Sequence, residues 1–261
     1  MRNIKFALIG NGFIAPKHIE AIKEVGGELV AVCDIDESKK VEGVPFFTDY
    51  KEAIKEADIV SICTPNYLHS EMVIECAKQG KKIISEKPAT FKVEEIEFLK
   101  NVPNLFSVFQ LRHLPEISEM RKAALKAKKV ILKVEMKRSR TYAFTWKGDH
   151  EKSGGLLINI GIHYFDLLGH LFGYTGFKSE VIKREETESY GVLNYIDLEV
   201  YWSIHLTDEQ LSYERSLTID GKKFDLVQKE NLHIKVYENL LFNQGTTVRE
   251  EKKILKMIYA I

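Results

Sequence analysis

The chain has 261 residues, 44% hydrophobic and 29% charged, which suits one large or two modest globular domains. Its 38 Lys+Arg and 38 Asp+Glu cancel, so no basic field marks a nucleic-acid partner and any anionic ligand needs a local site. No run of about 18 apolar residues suggests a membrane span, and the apolar run at 4–9 is too short for a signal-peptide core, so the expectation is a cytoplasmic protein with no membrane partner.

Residues 1–110 repeat one rhythm. Short β-rich runs at 4–9, 28–33, 58–63, 82–85 and 105–109, with a weaker one at 46–48, alternate with helical spacing at 14–22, 67–79 and 93–100. The runs are continuously apolar, as strands covered on both faces require, so the pattern predicts βαβ units and a parallel sheet. After residue 110 come a helix at 116–128 and longer, partly alternating strands at 130–138, 195–205, 213–219 and 223–227. Asp220-Gly221 reads as a hairpin turn between the last two. An apolar, helical segment at 154–172 interrupts them, and the tail 234–261 reads as two helices around Gly245. The expected class is α/β, with a dinucleotide-binding domain over 1–112 and an α+β domain with a largely antiparallel sheet over 113–261. Cys33, Cys63 and Cys76 are widely spaced and read as small buried thiols, with no metal-ligand spacing and no disulfide framework.

Gly10-Asn11-Gly12-Phe13-Ile14-Ala15 follows the first strand and opens the first helix. In this G-x-G-x-x-A pattern Gly10 permits the tight turn, Gly12 lets the backbone approach a pyrophosphate, and the helix N-terminus attracts its charge. Asp34 ends the second strand, where a carboxylate accepts the ribose hydroxyls of NAD and repels the 2′-phosphate of NADP. Cys63-Thr64-Pro65-Asn66-Tyr67-Leu68-His69 follows the fourth strand. Asn66 is placed to cap the next helix, and His69 to face the cofactor ribose or to be merely solvated. Ser85-Glu86-Lys87-Pro88 follows the next strand, where Pro88 ends the sheet and starts a turn. Gln110-Leu111-Arg112-His113 follows the one after. All these candidates lie just past the carboxyl end of a strand, the edge where open α/β sheets bind ligands, and this common placement marks Lys87 as an active-site residue.

In the second half, Asn159, His163 and Asp166 recur at helical spacing. His163 is either a buried histidine bonded to Asp166 or the acid–base group on the substrate side of a dinucleotide enzyme. Arg112, Arg140, Lys147, Lys152 and Arg215 are the cations available to an anionic substrate, and of these Arg112 alone has strand-end placement.

Taken in order, these motifs resemble the glucose–fructose oxidoreductase/inositol dehydrogenase (Gfo/Idh/MocA) family, over nearly the whole chain. The Gln110–His113, Trp146-Lys147-Gly148-Asp149 and 159–166 segments, with Glu214-Arg215-Ser216-Leu217-Thr218-Ile219-Asp220-Gly221, are similar to its branch of UDP-N-acetyl-2-amino-2-deoxyglucuronate dehydrogenases, which serve bacterial surface-polysaccharide synthesis. The resemblance implies a Rossmann domain, an open-faced sheet domain and a homodimer or homotetramer. It implies NAD held by Gly10, Asn11, Gly12, Phe13, Ile14, Asp34, Thr64, Pro65, Asn66, His69, Glu86 and Lys87. A small-molecule substrate, a UDP-sugar, would meet Lys87, Arg112, Asn159 and His163. The implied reaction is oxidation of the sugar 3-hydroxyl, with His163 as base and Lys87 positioning and polarising the oxygen, or with Lys87 itself as base. The alternatives are a related dehydrogenase of inositol or a free sugar, and an NAD-sensing regulator without catalysis.

Overall fold

The computed structural model describes residues 3–138, 140–208 and 213–261, without the side chains of residues 140 and 143. Arg140, one of the cations named above, therefore lies outside the described side chains. In chain order the elements are β1 (Lys5–Ile9), α1 (Ala15–Glu24), β2 (Glu28–Cys33), β3 (Phe46–Phe47), α2 (Tyr50–Ala53), β4 (Ile59–Ile62), α3 (His69–Lys78), β5 (Lys82–Ser85), α4 (Val93–Leu99) and β6 (Leu105–Ser107). Then come α5 (Ile117–Ala124), β7 (Lys129–Lys137), α6 (His150–Ser153), a π-helical turn (Leu157–Gly161) and α7 (Ile162–Phe172). The chain closes with β8 (Lys178–Arg184), β9 (Glu188–Asn194), β10 (Glu199–Thr207), β11 (Glu214–Ile219), β12 (Lys222–Asp225), α8 (His233–Leu241), β13 (Thr246–Thr247) and α9 (Val248–Tyr259).

Two compact units result. One comprises Met1–Gln110 and Asn231–Lys252, the other Leu111–Glu230 and Lys253–Ile261. The first stretch ends at Gln110, and part of the tail, Asn231–Lys252, returns to the first unit. The reason is hydrophobic burial. Val236, Tyr237 and Leu240 of α8 join Phe6, Ile22, Ile59, Ile84 and Phe106 in one core cluster on a face of the first sheet.

The sheet of the first unit has the order β13-β6-β5-β4-β1-β2-β3, parallel except for β13. This is the expected doubly wound sheet, and its order reverses between β1 and β4, the topological switch point. Register aligns the strand ends. Ile9 pairs with both Cys33 and Ile62, Ile62 with Ser85, and Ser85 with Ser107. The residues that follow this row, among them Gly10, Asp34, Cys63 and Glu86, therefore share one edge.

The second unit carries the sheet β12-β11-β7-β10-β9-β8, antiparallel except between β7 and β10. β7 and β10 alternate buried and outward residues, as their sequences predict. The turn at Asp220-Gly221 forms as expected, with φ of 44° and 87°. Two strands, β8 and β9, lie where none was predicted. β8 is an almost wholly exposed edge strand with no alternation to read. Gly191 interrupts β9 because a Cβ there would meet the Glu180 carbonyl oxygen at 2.4 Å. Among the described residues, His150–Phe172 forms a 23-residue helical stretch long and apolar enough to cross a membrane by length and composition, a point the run-length reading missed. With 67% of its apolar window buried inside the protein, its composition is that of a core element.

A buried ion pair fastens α7 in this unit. The Arg112 guanidinium donates from Nη2 to Asp166 Oδ1 at 2.7 Å and from Nε to Oδ2 at 3.0 Å, and Tyr174 Oη donates to Oδ1 at 3.1 Å. The Asp166 side chain is 0% exposed and that of Arg112 9%. Removing one member leaves the other charged and buried without its opposite charge. Asp166→Ala is therefore expected to lower unfolding stability by about 3–5 kcal/mol in denaturant titration, whereas Arg112→Met/Asp166→Leu together recover most of the loss. A change below about 1 kcal/mol in the single variant would contradict this account of the pair.

Candidate active site

The aligned strand ends of the first unit build a glycine cradle. Gly10 has φ +86°, and a Cβ on it would stand 2.9 Å from the Cys63 carbonyl and from Thr64 N, so the turn after β1 is pressed onto the turn after β4. A Cβ at Gly12 would meet nothing within 4 Å, which leaves that backbone open to a ligand. Among the described residues no side chain caps the N-terminus of α1, and Pro16 in its first turn has no N–H to offer. Ala15 N and Lys17 N donate to Gly12 O at 3.2 Å and Ile14 O at 3.0 Å, so what the start of α1 offers a pyrophosphate is the positive end of its dipole behind the open Gly12 backbone. Asp34 stands beside the cradle, where Asn11 N donates to Oδ2 at 2.7 Å and Asp36 N to Oδ1 at 3.0 Å. Asn11 also donates from Nδ2 to Lys39 O at 2.6 Å. Ile14 packs against the Leu8–Ala15–Val32–Cys63 cluster, while Phe13 is 92% exposed on the loop. Ile35, 93% exposed directly after Asp34, is an apolar residue at the ribose end of the cradle that sequence reasoning did not single out. Its only signal was an isoleucine placed after the strand instead of within it. These residues fit NAD: an open glycine turn, the positive end of a helix dipole behind it and a fixed carboxylate at the expected places.

The turn after β4 is rigid. His69 is buried and spans two carbonyls, from Nε2 to Thr64 O and from Nδ1 to Pro88 O, both at 2.7 Å. Burial pushes its pKa down, against the pull of those two carbonyls. His69 thus links the Thr64-Pro65 turn to the Lys87-Pro88 turn instead of lying solvated. Asn66 is buried in the short 3-10 turn before α3, whose N-cap position is Leu68.

The Lys87–Pro88 peptide is cis. On one side of it the Glu86 carboxylate takes two imidazoles, with His18 Nε2 at 2.9 Å and His233 Nε2 at 3.4 Å from Oε1. Behind His18, Nδ1 lies 2.8 Å from Tyr237 Oη, which lies 2.7 Å from Ser61 Oγ. One proton assignment satisfies the whole chain. Ser61 donates to Tyr237, Tyr237 to His18 Nδ1, and both histidines donate from Nε2 to an ionised Glu86. Burial alone would raise the Glu86 pKa, but the hydrogen bonds from His18 and His233 hold it well below the carboxylate range. Burial pushes His233 down despite Glu86, so its neutral form is favoured. The Cys33 and Cys76 thiols are pushed up by burial to about 11 and about 12, and Cys63 well above its ordinary value, so the three are buried thiols as expected.

In the second unit, Asn159 lies in the π-helical turn and donates from Nδ2 to Tyr142 Oη at 2.7 Å. Asp166 bonds Arg112 and Tyr174, and His163, in the first turn of α7, is only partly buried. Arg112, expected to meet a substrate anion, pairs with Asp166. Lys147 lies 6.0 Å from the Tyr142 ring centroid and 5.8 Å from that of Trp146, with burial lowering its pKa.

The buried histidines and Glu86 set a pH dependence. Glu86 has a folded pKa below 4.5, so its contribution is present above that value and lost as pH falls through the folded pKa. His233 and His69 have folded pKa values below 6.5, so under acid the unfolded chain binds their protons first. Both effects have one sign, and stability falls on acidification. Thermal melts should show Tm decreasing from pH 7 to pH 5, less steeply in His233→Gln; a flat or rising Tm over that range would contradict these directions.

The description "oxidoreductase family, NAD-binding Rossmann fold" matches residues 4–103, and "oxidoreductase family, C-terminal alpha/beta domain" matches residues 128–239. Among solved structures, the WlbA (WbpB) dehydrogenase of Thermus thermophilus in complex with NAD and UDP-GlcNAcA is 32% identical, with a TM-score of 0.86 over 97% of this chain and 93% of that one. The WlbA dehydrogenase of Bordetella pertussis, in complex with NADH and UDP-GlcNAcA, is 25% identical, with a TM-score of 0.82 over 100% and 95%. The glucose-6-phosphate 3-dehydrogenase of Bacillus subtilis is 28% identical over 187 residues, which cover 64% of this chain and 53% of that protein. The chain thus spans about half the length of the curated relatives it matches. With both family domains present, in order, on a fold shared along nearly its whole length, the chain belongs to the Gfo/Idh/MocA oxidoreductase family, with an NAD-binding Rossmann domain at its N-terminal end.

Proposed function

We propose that this protein is an NAD-dependent dehydrogenase that oxidises a sugar hydroxyl, the 3-hydroxyl of a UDP-N-acetylamino-sugar uronate. The observation that carries the reading is Lys87 held on a buried, multiply anchored turn at the same strand-end edge as the glycine cradle and Asp34. The 32% identity to a dehydrogenase solved with NAD and UDP-GlcNAcA supports the substrate class. Bound NAD supplies the nicotinamide that accepts the hydride. Gly10, Gly12 and the N-terminus of α1 hold the pyrophosphate, and Asp34 accepts hydrogen bonds from the adenosine ribose. Thr64, Pro65, Asn66 and His69 shape the neighbouring turn. Lys87 donates to the substrate oxygen and stabilises the negative charge that grows there, while His163 takes the hydroxyl proton. Asn159 is the amide proposed to orient the substrate. A second reading, oxidation of a free or phosphorylated sugar, is favoured by the similarity to the glucose-6-phosphate 3-dehydrogenase.

Absorbance of reduced nicotinamide, followed with UDP-GlcNAcA, glucose 6-phosphate and myo-inositol, separates these readings. Turnover is expected with the UDP-sugar; turnover with glucose 6-phosphate alone selects the second reading. NAD binding with no turnover on any of the three would instead indicate a cofactor sensor. Lys87→Met and His163→Ala are each expected to lower kcat by about 10²–10⁴ with NAD affinity retained. Normal turnover in either variant would remove that residue from the mechanism.

A further inference from the structure

The Glu86–Ala89 turn that carries Lys87 is held at Glu86, Pro88 and Ala89, and two of the four anchoring side chains, His233 and Glu251, come from the segment Asn231–Lys252. Glu86 is held by His18 of α1 and His233 of α8. Pro88 O is held by His69. Ala89 N donates to Glu251 Oε1 at 2.7 Å, while the other oxygen of Glu251 takes the Ser107 hydroxyl at the end of β6. Glu251 and His233 are almost wholly buried. A buried carboxylate is costly unless its acceptor capacity is used, and here both carboxylates are used on one four-residue turn and the strand beside it. His233 Nδ1 has no hydrogen-bond partner, so Glu86 is the hydrogen-bonding reason for that imidazole to be buried.

We propose that His233 and Glu251 are positioning residues that hold the Glu86–Ala89 turn and thereby set where the Lys87 amine stands. The proposal rests on the reading of Lys87 as a reacting group. Neither residue needs to touch substrate or cofactor. Each acts through the backbone on which Lys87 is carried, and a misplacement of about 1 Å can lower turnover about 10²-fold. The groups that face Glu86 are His18 from α1, Cys63 after β4, His69 from α3, and His233 and Tyr237 from α8, with Lys17 acting on His233. The nitrogens of His18 and His233 and an oxygen of Glu86 also lie within 4.8 Å of one another, the donor set a divalent cation would select. A hydrogen-bonded clamp needs no such ion, and the two are separable.

The experiment compares His233→Ala and Glu251→Ala with His233→Gln and Glu251→Gln in the full chain. Glutamine at 233 keeps a donor near the position of Nε2, and at 251 it keeps an acceptor for Ala89 N–H. The alanine variants are expected to lose about tenfold or more in kcat, with the Kd for NAD within about threefold of the parent and the glutamine variants close to it. If an alanine variant does not fold, His233→Asn, whose amide is too short to reach Glu86, and Glu251→Ser carry the same expected loss. Unchanged kcat in folded variants, equal loss in glutamine and alanine variants, or NAD affinity falling in step with kcat would each overturn the proposal. So would loss of parent turnover on dialysis against a chelator, restored by zinc. Should the parent turn over no sugar at all, the functional reading fails, and the clamp is tested by the pH dependence of Lys87 acetylation with acetic anhydride, followed by peptide mass spectrometry. Its midpoint should move by about half a unit or more in the alanine variants and not in the glutamine ones; identical midpoints would overturn the clamp.

Discussion

An ionised carboxylate in a protein interior must be surrounded by donors, and that constraint organises the first unit around Glu86. The donors arrive from separate parts of the chain. His18 lies on the helix that follows the glycine turn, and His233 on a helix more than 200 residues further along. Tyr237, one turn beyond His233, completes the shell behind His18 through its hydroxyl and fills the apolar core with its ring. The same helix therefore supplies hydrophobic burial and polar satisfaction. Its return to the first unit and the burial of Glu86 are two sides of one arrangement.

The second unit solves a similar problem with a closer pair. Asp166 is fully buried on α7 and matched by Arg112, with Tyr174 donating to the same oxygen. Asn159, on the π-helical turn ahead of α7, meets Tyr142, while Asp166 meets Arg112 and Tyr174, so polar residues that share a spacing in sequence take different partners.

Much of the first unit was legible because local signals agreed with the fold. Apolar runs became parallel strands, and glycine and proline marked their ends. The carboxyl-edge rule needed only the order of those strands to gather Gly10, Asp34, Thr64 and Lys87. What sequence could not show was long-range. His18 lay unmarked within the helical spacing at 14–22, Tyr237 and Glu251 within the tail and His233 just ahead of it, because their meaning lies in partners 68 to 219 positions away. Strand β8 was invisible for a different reason, since an exposed edge strand need not alternate. The Arg112–Asp166 pair was not legible because strand-end placement says where a cation lies but not which carboxylate meets it.

Belonging to the oxidoreductase family establishes the architecture and the cofactor domain, while the chemistry rests on whether the strand-end edge transfers a hydride. The most direct measurement is single-turnover mixing of the NAD-loaded protein with UDP-GlcNAcA, unlabelled and deuterated at carbon 3, while reduced-nicotinamide absorbance is followed. The account predicts that absorbance rises with both and more slowly with the deuterated sugar. Equal rates limited by chemistry, or no reduced nicotinamide from either sugar, would contradict it.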